Sequence, residues 1–298
     1  MKIVIGLDIG ATNLKAVLVN AQGKILIFSK IKTEAESGGK KVVQNIKNLI
    51  ILLLNQAKTK KISVRAIGVG SPGPINFVKG EIISPPNLPG WHDLPLKKIL
   101  KKEFNLPIFL DNDANCALLA EKWLGAAKKF NSVLLLTLGS GIGGAFIKKN
   151  HLYRGKNGQG AEFGHLKIHP KGKKCNCGSR GCLEAYASAT ALRKMALETD
   201  LKITEVKDIF ILARQNNPKA KEILREMIAD LALALKILTK TFQPEAIILG
   251  GGMMESADLI LPQLEAEMKK NRGNSKITIL KAELGEKSGV IGAAKLAL

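Results

Sequence analysis

The chain alternates short apolar runs with longer amphipathic stretches from one end to the other. The short runs have the length of buried strands, are bounded by turn residues, and lie at 2–9, 14–20, 24–31, 62–69, 107–110, 132–138, 145–149, 245–249 and 276–280. The longer stretches carry apolar residues at helical spacing and lie at 39–58, 96–104, 114–124, 187–198, 205–215, 218–242 and 289–298. Strands that alternate with helices in this way predict an α/β fold.

Two of the predicted strand pairs are joined by similar polar turns, one near the start of the chain and one near its middle. The first turn carries Asp8, Gly10, Thr12 and Asn13, and the second carries Gly139, Ser140, Gly141 and Gly143. Backbone N–H groups and hydroxyls at such turns suit phosphate oxygens, and the Asp8 carboxylate suits hydrated Mg²⁺, although ordinary hairpins also contain these residues. The repetition predicts duplicated domains that bind a triphosphate from both sides.

The second turn matches neither of the two common nucleotide-binding loops. A Walker A loop continues as Gly-Lys-Ser/Thr, which does not occur here, and a dinucleotide-binding loop leads into a helix, whereas 145–149 has strand character. A third glycine loop, formed by Gly250, Gly251 and Gly252, follows the strand at 245–249. Because glycine has no side chain, this loop allows a flat base or a ribose to approach the backbone.

Four polar residues, Asp111, Asn112, Asp113 and Asn115, stand between a predicted strand and a predicted helix. Aspartate and asparagine are the best helix N-caps, so capping explains part of the cluster. One cap does not need four polar residues, however. A carboxylate beside amides at such a junction also has the chemistry of a general base with hydroxyl ligands. The residues leave both interpretations open.

Three of the four cysteines, Cys175, Cys177 and Cys182, fall within eight residues, and His165 precedes the first of them by ten positions. Three thiolates and one imidazole make a closed tetrahedral shell for structural zinc. A disulfide or free thiols are the alternatives, but Cys175 and Cys177 are too close in sequence for a relaxed disulfide. His169 competes with His165 for the fourth place.

Length and composition limit the remaining function classes. The 298 residues suit two domains, and contents of 46% hydrophobic and 24% charged residues are those of a globular protein. The formal net charge of +21 favours anionic partners, but the lysines are scattered and two tyrosines and two tryptophans form no platform for bases. A solvated lysine-rich surface is therefore favoured over nucleic-acid binding. No signal-peptide core or membrane-length apolar run is visible, so we expect a cytoplasmic protein with no membrane partner.

Taken in order, the motifs resemble the ROK family (repressors, open reading frames, kinases) of bacterial sugar kinases and regulators. The likeness covers essentially the whole chain and rests on Asp8-Ile-Gly-Ala-Thr12, Gly70-Ser-Pro-Gly-Pro74, Asn87-Leu-Pro-Gly-Trp91, Asn112-Asp-Ala-Asn115, Gly139-Ser-Gly-Ile-Gly-Gly144, Gly160-Ala-Glu-Phe-Gly-His165, Cys175-Asn-Cys177-Gly, Gly181-Cys-Leu-Glu184 and Leu249-Gly-Gly-Gly252. So many motifs in one order are highly specific.

The resemblance implies two actin-like (ribonuclease H-like) ATPase domains with a cleft between them, in which ATP and a hexose meet. The N-terminal α/β domain would span 1–115, with a C-terminal helix at about 287–298 packed back on it. The larger C-terminal domain would span 116–286 and carry the zinc loop. The resemblance further implies a homodimer, Mg²⁺ as cofactor and a role in glycolysis.

The resemblance also assigns roles to single residues. Asp113 matches the catalytic base that removes the proton from the sugar 6-hydroxyl. The residues that match sugar ligands are Asn87, Asn112, Glu162, His165 and Glu184. The residues that match zinc ligands are His165, Cys175, Cys177 and Cys182. The turns at Asp8 to Asn13 and Gly139 to Gly143 match phosphate-binding turns, and Gly250 to Gly252 match an adenosine-binding loop. His165 would then use one ring nitrogen for zinc and the other for the sugar.

The sequence departs from the family pattern at Ala11 and Asn13, where Gly and Lys are more frequent. The extra methyl group of Ala11 narrows the approach of a phosphate. Glucose is the expected substrate, with N-acetylglucosamine, N-acetylmannosamine, mannose and fructose as alternatives. A sugar-sensing repressor on the same fold is the rival from another class. Such regulators carry a DNA-binding region before the first strand, which begins here at Lys2, so a kinase is expected.

Overall fold

A computed structural model of the protein describes residues 2–85, 88, 90–270 and 277–298. The chain forms two compact units, and each contains a five-stranded sheet. Unit 1 consists of Met1–Lys129, Leu152–Ala161 and Glu286–Leu298, and unit 2 consists of Phe130–His151 and Glu162–Gly285.

Unit 1 has a mixed sheet with helices on its faces. Its strands are β1 (Ile3–Ile9), β2 (Asn13–Asn20), β3 (Ile25–Lys32), β4 (Val64–Ser71), β5 (Ile75–Asn76), β6 (Glu81–Ile82) and β7 (Ile108–Asn112). Its helices are α1 (Gly39–Thr59), α2 (Leu96–Phe104), α3 (Asp113–Leu124) and α9 (Ser288–Leu296). The sheet order is β3-β2-β1-β4-β7, with β1, β2 and β3 antiparallel and with β4 and β7 parallel to β1. The predicted pairing of the first two strands is thereby confirmed.

The core of unit 1 follows from the periodicity of α1. Val42, Ile46, Leu49 and Leu53 recur at helical spacing and are buried with the inward residues of β1 and β2. The C-terminal helix α9 packs on β1 and β4 at a distance that only glycine allows. A methyl group at Gly68 would overlap the backbone carbonyl of Ala293.

Unit 2 repeats the sheet of unit 1. Its strands are β8 (Val133–Leu138), β9 (Ile142–Lys148), β11 (Ala246–Gly250), β12 (Thr278–Lys281) and the short β10 (His151–Leu152), of which only His151 is assigned to unit 2. Its helices are α4 (Glu184–Ala187), α5 (Ala189–Leu197), α6 (Val206–Arg214), α7 (Pro218–Phe242) and α8 (Ala257–Lys269). The order β10-β9-β8-β11-β12 again pairs an antiparallel hairpin with two parallel strands. The duplication predicted from the two turns is confirmed.

Helices α8 and α5 differ from the sequence prediction. Helix α8 was not predicted, and it contains Pro262, a residue that normally argues against a helix interior. The helix predicted at 187–198 starts instead at Ala189, because Ser188 has extended backbone angles and its hydroxyl accepts the Ala191 N–H at 3.1 Å as an N-cap. Among the described residues, no helix is both long enough and apolar enough to cross a membrane.

The two units also divide the chain differently from the expected domains. The expected boundary after residue 115 cuts α3, whereas all of α3 lies in unit 1. The reason is its packing on α9, where a methyl group at Gly292 would overlap the backbone carbonyl of Cys116. Leu152–Ala161 likewise belongs to unit 1 instead of the larger domain.

Candidate active site

Parallel strands in unit 1 bring the predicted carboxylates to one edge of the sheet. Asp8 on β1 is in register with Gly70 on β4, and Gly70 is in register with Asp111 on β7. Burial raises the pKa of the Cys116 thiol, and the nearby charges of Asp111, Asp8 and Asp113 raise it further. This edge, where the strands end, is the usual ligand-binding edge of an open α/β sheet.

The Asp8 carboxylate lies against the first turn of α9. A methyl group on Gly289 would come within 2.8 Å of that carboxylate. Burial raises the pKa of Asp8 to about 6, and the nearby Lys15 ammonium partly opposes this rise. Asp8 is therefore ionised at neutral pH and has the chemistry of a ligand for a hard cation.

The turn after Asp8 is held in place by a residue that sequence reasoning missed. The Gly10 N–H donates to the Asn13 carbonyl at 3.0 Å, which closes the turn. The buried Thr33 donates from its hydroxyl to the Gly10 carbonyl at 2.6 Å and from its N–H to the Thr12 carbonyl at 3.0 Å. The signal in the sequence was a threonine placed just after the predicted strand at 24–31. Thr12 itself is exposed, as a phosphate-binding hydroxyl requires.

The junction between β7 and α3 shows which of its polar residues caps the helix. Asn112 is the N-cap, since its Oδ1 accepts the N–H groups of Ala114 at 2.9 Å and Asn115 at 3.4 Å. Its amide group also donates to the Gly73 carbonyl at 3.4 Å. Asp113 is the first residue of the helix and is partly buried, and its Oδ1 accepts the Ala114 N–H at 2.8 Å. The N-cap role therefore belongs to Asn112, and the role of Asp113 as a general base stays a prediction.

In unit 2, the four predicted metal ligands come together. One ring nitrogen of His165 and the Sγ atoms of Cys175, Cys177 and Cys182 all lie within 4.8 Å of one another. The Sγ atoms of Cys177 and Cys182 are 3.7 Å apart, and Cys175 Sγ is 3.9 Å from His165 Nδ1. Ligands at tetrahedral angles around one zinc ion are separated by about 3.5–3.8 Å. The cluster therefore fits zinc.

The structure decides between the two candidate histidines. His169 Nε2 lies 2.6 Å from Asp230 Oδ1 on α7, and its ring packs on Tyr186 at 4.8 Å between centroids. It therefore anchors the loop to α7, while His165 joins the cysteines. Burial raises the pKa of Cys175 to about 12.

Glu184 links the cysteine loop to the glycine loop of the same unit. Its Oε2 accepts the N–H of Ile142 at 3.0 Å, and its Oε1 lies 3.8 Å from Cys175 Sγ. The turn from Glu162 to His165 reaches the same point, since a methyl group at Gly164 would overlap the Ile142 carbonyl. Loss of hydration raises the pKa of Glu162; the His165 charge lowers it and the Glu184 charge raises it. Sequence reasoning did not identify the Ile142 backbone as this meeting point.

The two glycine loops of unit 2 are neighbours. Gly139 donates its N–H to the Gly141 carbonyl at 3.0 Å, and Thr190 donates its hydroxyl to the Ser140 carbonyl at 2.7 Å. Gly251 has a φ of 88° and lies so close to the end of β8 that a methyl group would overlap the Leu138 carbonyl. Both loops follow parallel strands, β8 and β11, at one edge of the sheet.

The predicted site residues thus fall into two sets. Unit 1 holds Asp8, Gly10, Thr12, Asn13, Asn112 and Asp113, and unit 2 holds Gly139, Ser140, Gly141, Gly143, Glu162, His165, Cys175, Cys177, Cys182, Glu184, Gly250, Gly251 and Gly252. Asn87 lies outside the described residues.

Comparison with known proteins finds relatives that match nearly the whole chain. The glucokinase of Thermotoga maritima is 34% identical over an alignment of 309 positions, which covers 98% of this chain and 96% of the relative. A ROK family glucokinase from Streptomyces griseus, crystallised in complex with glucose and AMPPNP, is 32% identical with a TM-score of 0.84 and 99% coverage of both chains. The xylose repressor of Bacillus spizizenii is 32% identical and matches 99% of this chain but 76% of the repressor. The sequence model of the ROK family matches residues 4–298, and the chain belongs to this family.

Proposed function

We propose that the protein is an ATP-dependent hexose kinase that phosphorylates the 6-hydroxyl of a sugar, with glucose as its preferred substrate. The observation that carries the proposal is the Asp113 carboxylate in the first turn of α3, next to Asn112, which supplies the N-cap. The glucokinase relatives from Thermotoga maritima and Streptomyces griseus support both the reaction and the sugar.

In this reaction Asp113 accepts the proton of the 6-hydroxyl while the hydroxyl oxygen bonds to the γ-phosphorus of ATP. The bond between that phosphorus and the β,γ-bridging oxygen breaks, and ADP leaves with the electron pair. Phosphoryl transfer needs little covalent participation by the protein, so in-line positioning and charge neutralisation supply most of the rate. The turn at Asp8 and the loop at Gly139 bind the phosphates through N–H groups, and the loop from Gly250 to Gly252 accepts the adenosine. Asp8 would hold Mg²⁺, which would add positive charge at the phosphates.

The proposed sugar ligands are polar side chains. Asn112, Glu162, His165 and Glu184 are the proposed hydroxyl ligands, together with Asn87. Because His165 directs Nδ1 at Cys175, its Nε2 is the nitrogen that remains for a sugar hydroxyl. Carboxylates and imidazoles make strong, directional hydrogen bonds to hydroxyl groups, which suits a polar ligand such as a hexose.

Zinc in the cysteine cluster has a structural role in this proposal. A site with three thiolates and one imidazole has no open position, so it activates no water and polarises no phosphate. What it supplies is fixed spacing between His165, which ligates it, and Glu184, which stands two residues after Cys182.

The experiment is coupled measurement of ADP release with glucose, N-acetylglucosamine, N-acetylmannosamine, mannose and fructose. Glucose is expected to give the highest kcat/KM. In Asp113→Asn the kcat should fall at least ~10²-fold, the usual contribution of a general base, while ATP binding changes little. The matched control is Asp200→Asn, because the Asp200 side chain is 93% exposed and pairs with the surface residue Lys219, so the kcat of this variant should be unchanged. Near-normal kcat in Asp113→Asn would exclude the assigned base.

The xylose repressor similarity makes a sugar-sensing regulator the second candidate. A regulator would bind sugar without releasing ADP, and it would bind a defined DNA operator with an affinity that falls steeply with salt. Sugar binding without turnover, combined with such salt-dependent DNA binding, would replace the kinase assignment.

A further inference from the structure

A buried carboxylate next to the proposed base has no role in the reaction described so far. Asp111 is 3% exposed. Its Oδ1 accepts the Asn112 N–H at 2.8 Å and the Asn115 side-chain amide at 2.8 Å, and its Oδ2 accepts Arg154 Nε at 2.7 Å. Every one of these contacts lies within unit 1. A charge buried this deeply is stable only when it is paired and hydrogen-bonded, so the Arg154 guanidinium stabilises the buried Asp111 carboxylate.

Asp111 accepts hydrogen bonds from residues on both sides of Asp113 in the chain. Asn112 is the residue before the proposed base, and Asn115 is the second residue after it. One carboxylate oxygen therefore ties down the backbone on one side of Asp113 and a buried side chain on the other. With both neighbours held, the first turn of α3 has little freedom to rotate the Asp113 carboxylate away from a substrate hydroxyl.

Arg154 is itself held from two sides. Its guanidinium lies over the Phe77 ring at 4.4 Å from the centroid, and its side chain is 27% exposed. Its carbonyl accepts the Gly160 N–H at 2.8 Å, so residues 154–160 form a closed loop. This loop is fixed to the rest of unit 1, since a methyl group on Gly158 would lie 2.6 Å from the Ile75 carbonyl. These contacts therefore fix the position of the Arg154 guanidinium beside Asp111.

We propose that Arg154 is a positioning residue for phosphoryl transfer, which acts through Asp111 to hold Asp113 in line with the sugar hydroxyl. This inference rests on the proposed function, because it needs Asp113 to be the general base. Arg154 touches neither the reacting hydroxyl nor the phosphate in this assignment. Its loss therefore lowers kcat and leaves substrate binding largely intact.

The first test compares Arg154→Gln with the wild type in steady-state kinetics and in sugar binding. The kcat should fall roughly 10- to 100-fold, the scale of a small misplacement of a catalytic group, while the KM values for sugar and ATP change less than about threefold. Arg154→Lys keeps the positive charge and should recover part of the lost kcat. The matched control is Arg214→Gln, which breaks an exposed arginine–aspartate pair with Asp258 in unit 2 and should leave kcat unchanged.

A double variant separates positioning from general damage to the fold. If Arg154 acts through the base, then Asp113→Asn combined with Arg154→Gln should be no slower than Asp113→Asn alone. If Arg154→Gln fails to fold, then Arg154→Gln with Asp111→Asn removes both charges, is expected to fold, and should show the same loss of kcat.

The outcomes distinguish this inference from the proposed function. If Asp113→Asn is inactive and Arg154→Gln retains normal kcat, the positioning role of Arg154 is wrong and the base assignment stands. A multiplicative loss in the double variant, or a rise in sugar KM equal to the fall in kcat, also overturns the positioning role. If Asp113→Asn keeps normal activity, the proposed function fails first.

Discussion

Gly141 is predicted to control sugar binding as well as nucleotide binding, although it lies in the loop assigned to phosphates. A methyl group at this position would overlap Glu184 Oε2, the atom that accepts the Ile142 N–H. The obstructing atom is the end of a flexible side chain, so in Gly141→Ala the carboxylate should swing away while the backbone keeps its fold. The change therefore displaces a proposed sugar ligand without touching the sugar site directly.

The magnitude follows from the bonds that the displaced carboxylate gives up. A hydrogen bond to a charged group contributes about 1.5–3 kcal/mol, and every 1.4 kcal/mol is a factor of ten in affinity. If the displaced carboxylate loses one such bond to a sugar hydroxyl, the affinity for glucose should fall roughly 10- to 150-fold. Isothermal titration with glucose alone measures this affinity without interference from turnover.

Gly139→Ala is the matched control for Gly141→Ala. A methyl group at Gly139 would meet only the Gly141 carbonyl, at an ordinary contact distance of 3.9 Å. Both variants add one methyl group to the same loop, but only Gly141→Ala disturbs Glu184. Unchanged glucose affinity in Gly141→Ala, with a raised KM for ATP, would refute the link between the loop and the sugar ligand. Equal losses of glucose affinity in the two variants would refute it too.

Three further predictions concern the metal, pH and packing. Cys177→Ala or exhaustive chelation should abolish most glucose binding and leave some ATP binding, and metal analysis should find close to one zinc per chain; a metal-free, fully active protein would contradict the zinc assignment. Burial raises the pKa of Asp8 to about 6, so the carboxylate becomes neutral below that pH. The KM for Mg²⁺-ATP should therefore rise as the pH falls below about 6, and this rise should be absent in Asp8→Asn. Gly68→Ala should lower the free energy of unfolding by about 1–3 kcal/mol in urea titrations, since the Ala293 carbonyl blocks the new methyl group, whereas Gly252→Ala, with open space around it, should not.

Local patterns in the sequence were enough to predict most elements and the chemistry of several sites. The strand-turn-strand units with Asp8 and Gly139 follow from residues that are neighbours in the chain, and so does the periodic apolar face of α7. The cysteine spacing likewise identified the three thiols that the structure brings together with His165. Helix α8 was not predicted because Pro262 opposes a helix locally. In the folded protein, the packing of Ile260 and Leu264 outweighs that preference.

Only the tertiary structure decided which distant groups meet. His165 and His169 are equally plausible zinc ligands from spacing, and the choice depends on Asp230, which lies 61 residues beyond His169. The bond from Glu184 to Ile142 spans 42 residues, and the bond from Arg154 to Asp111 spans 43. A residue's local preference depends on its near neighbours, whereas such contacts arise when strands pair and helices pack. The sequence therefore determined which chemical groups this protein carries, and the folded sheets determined which of them act together.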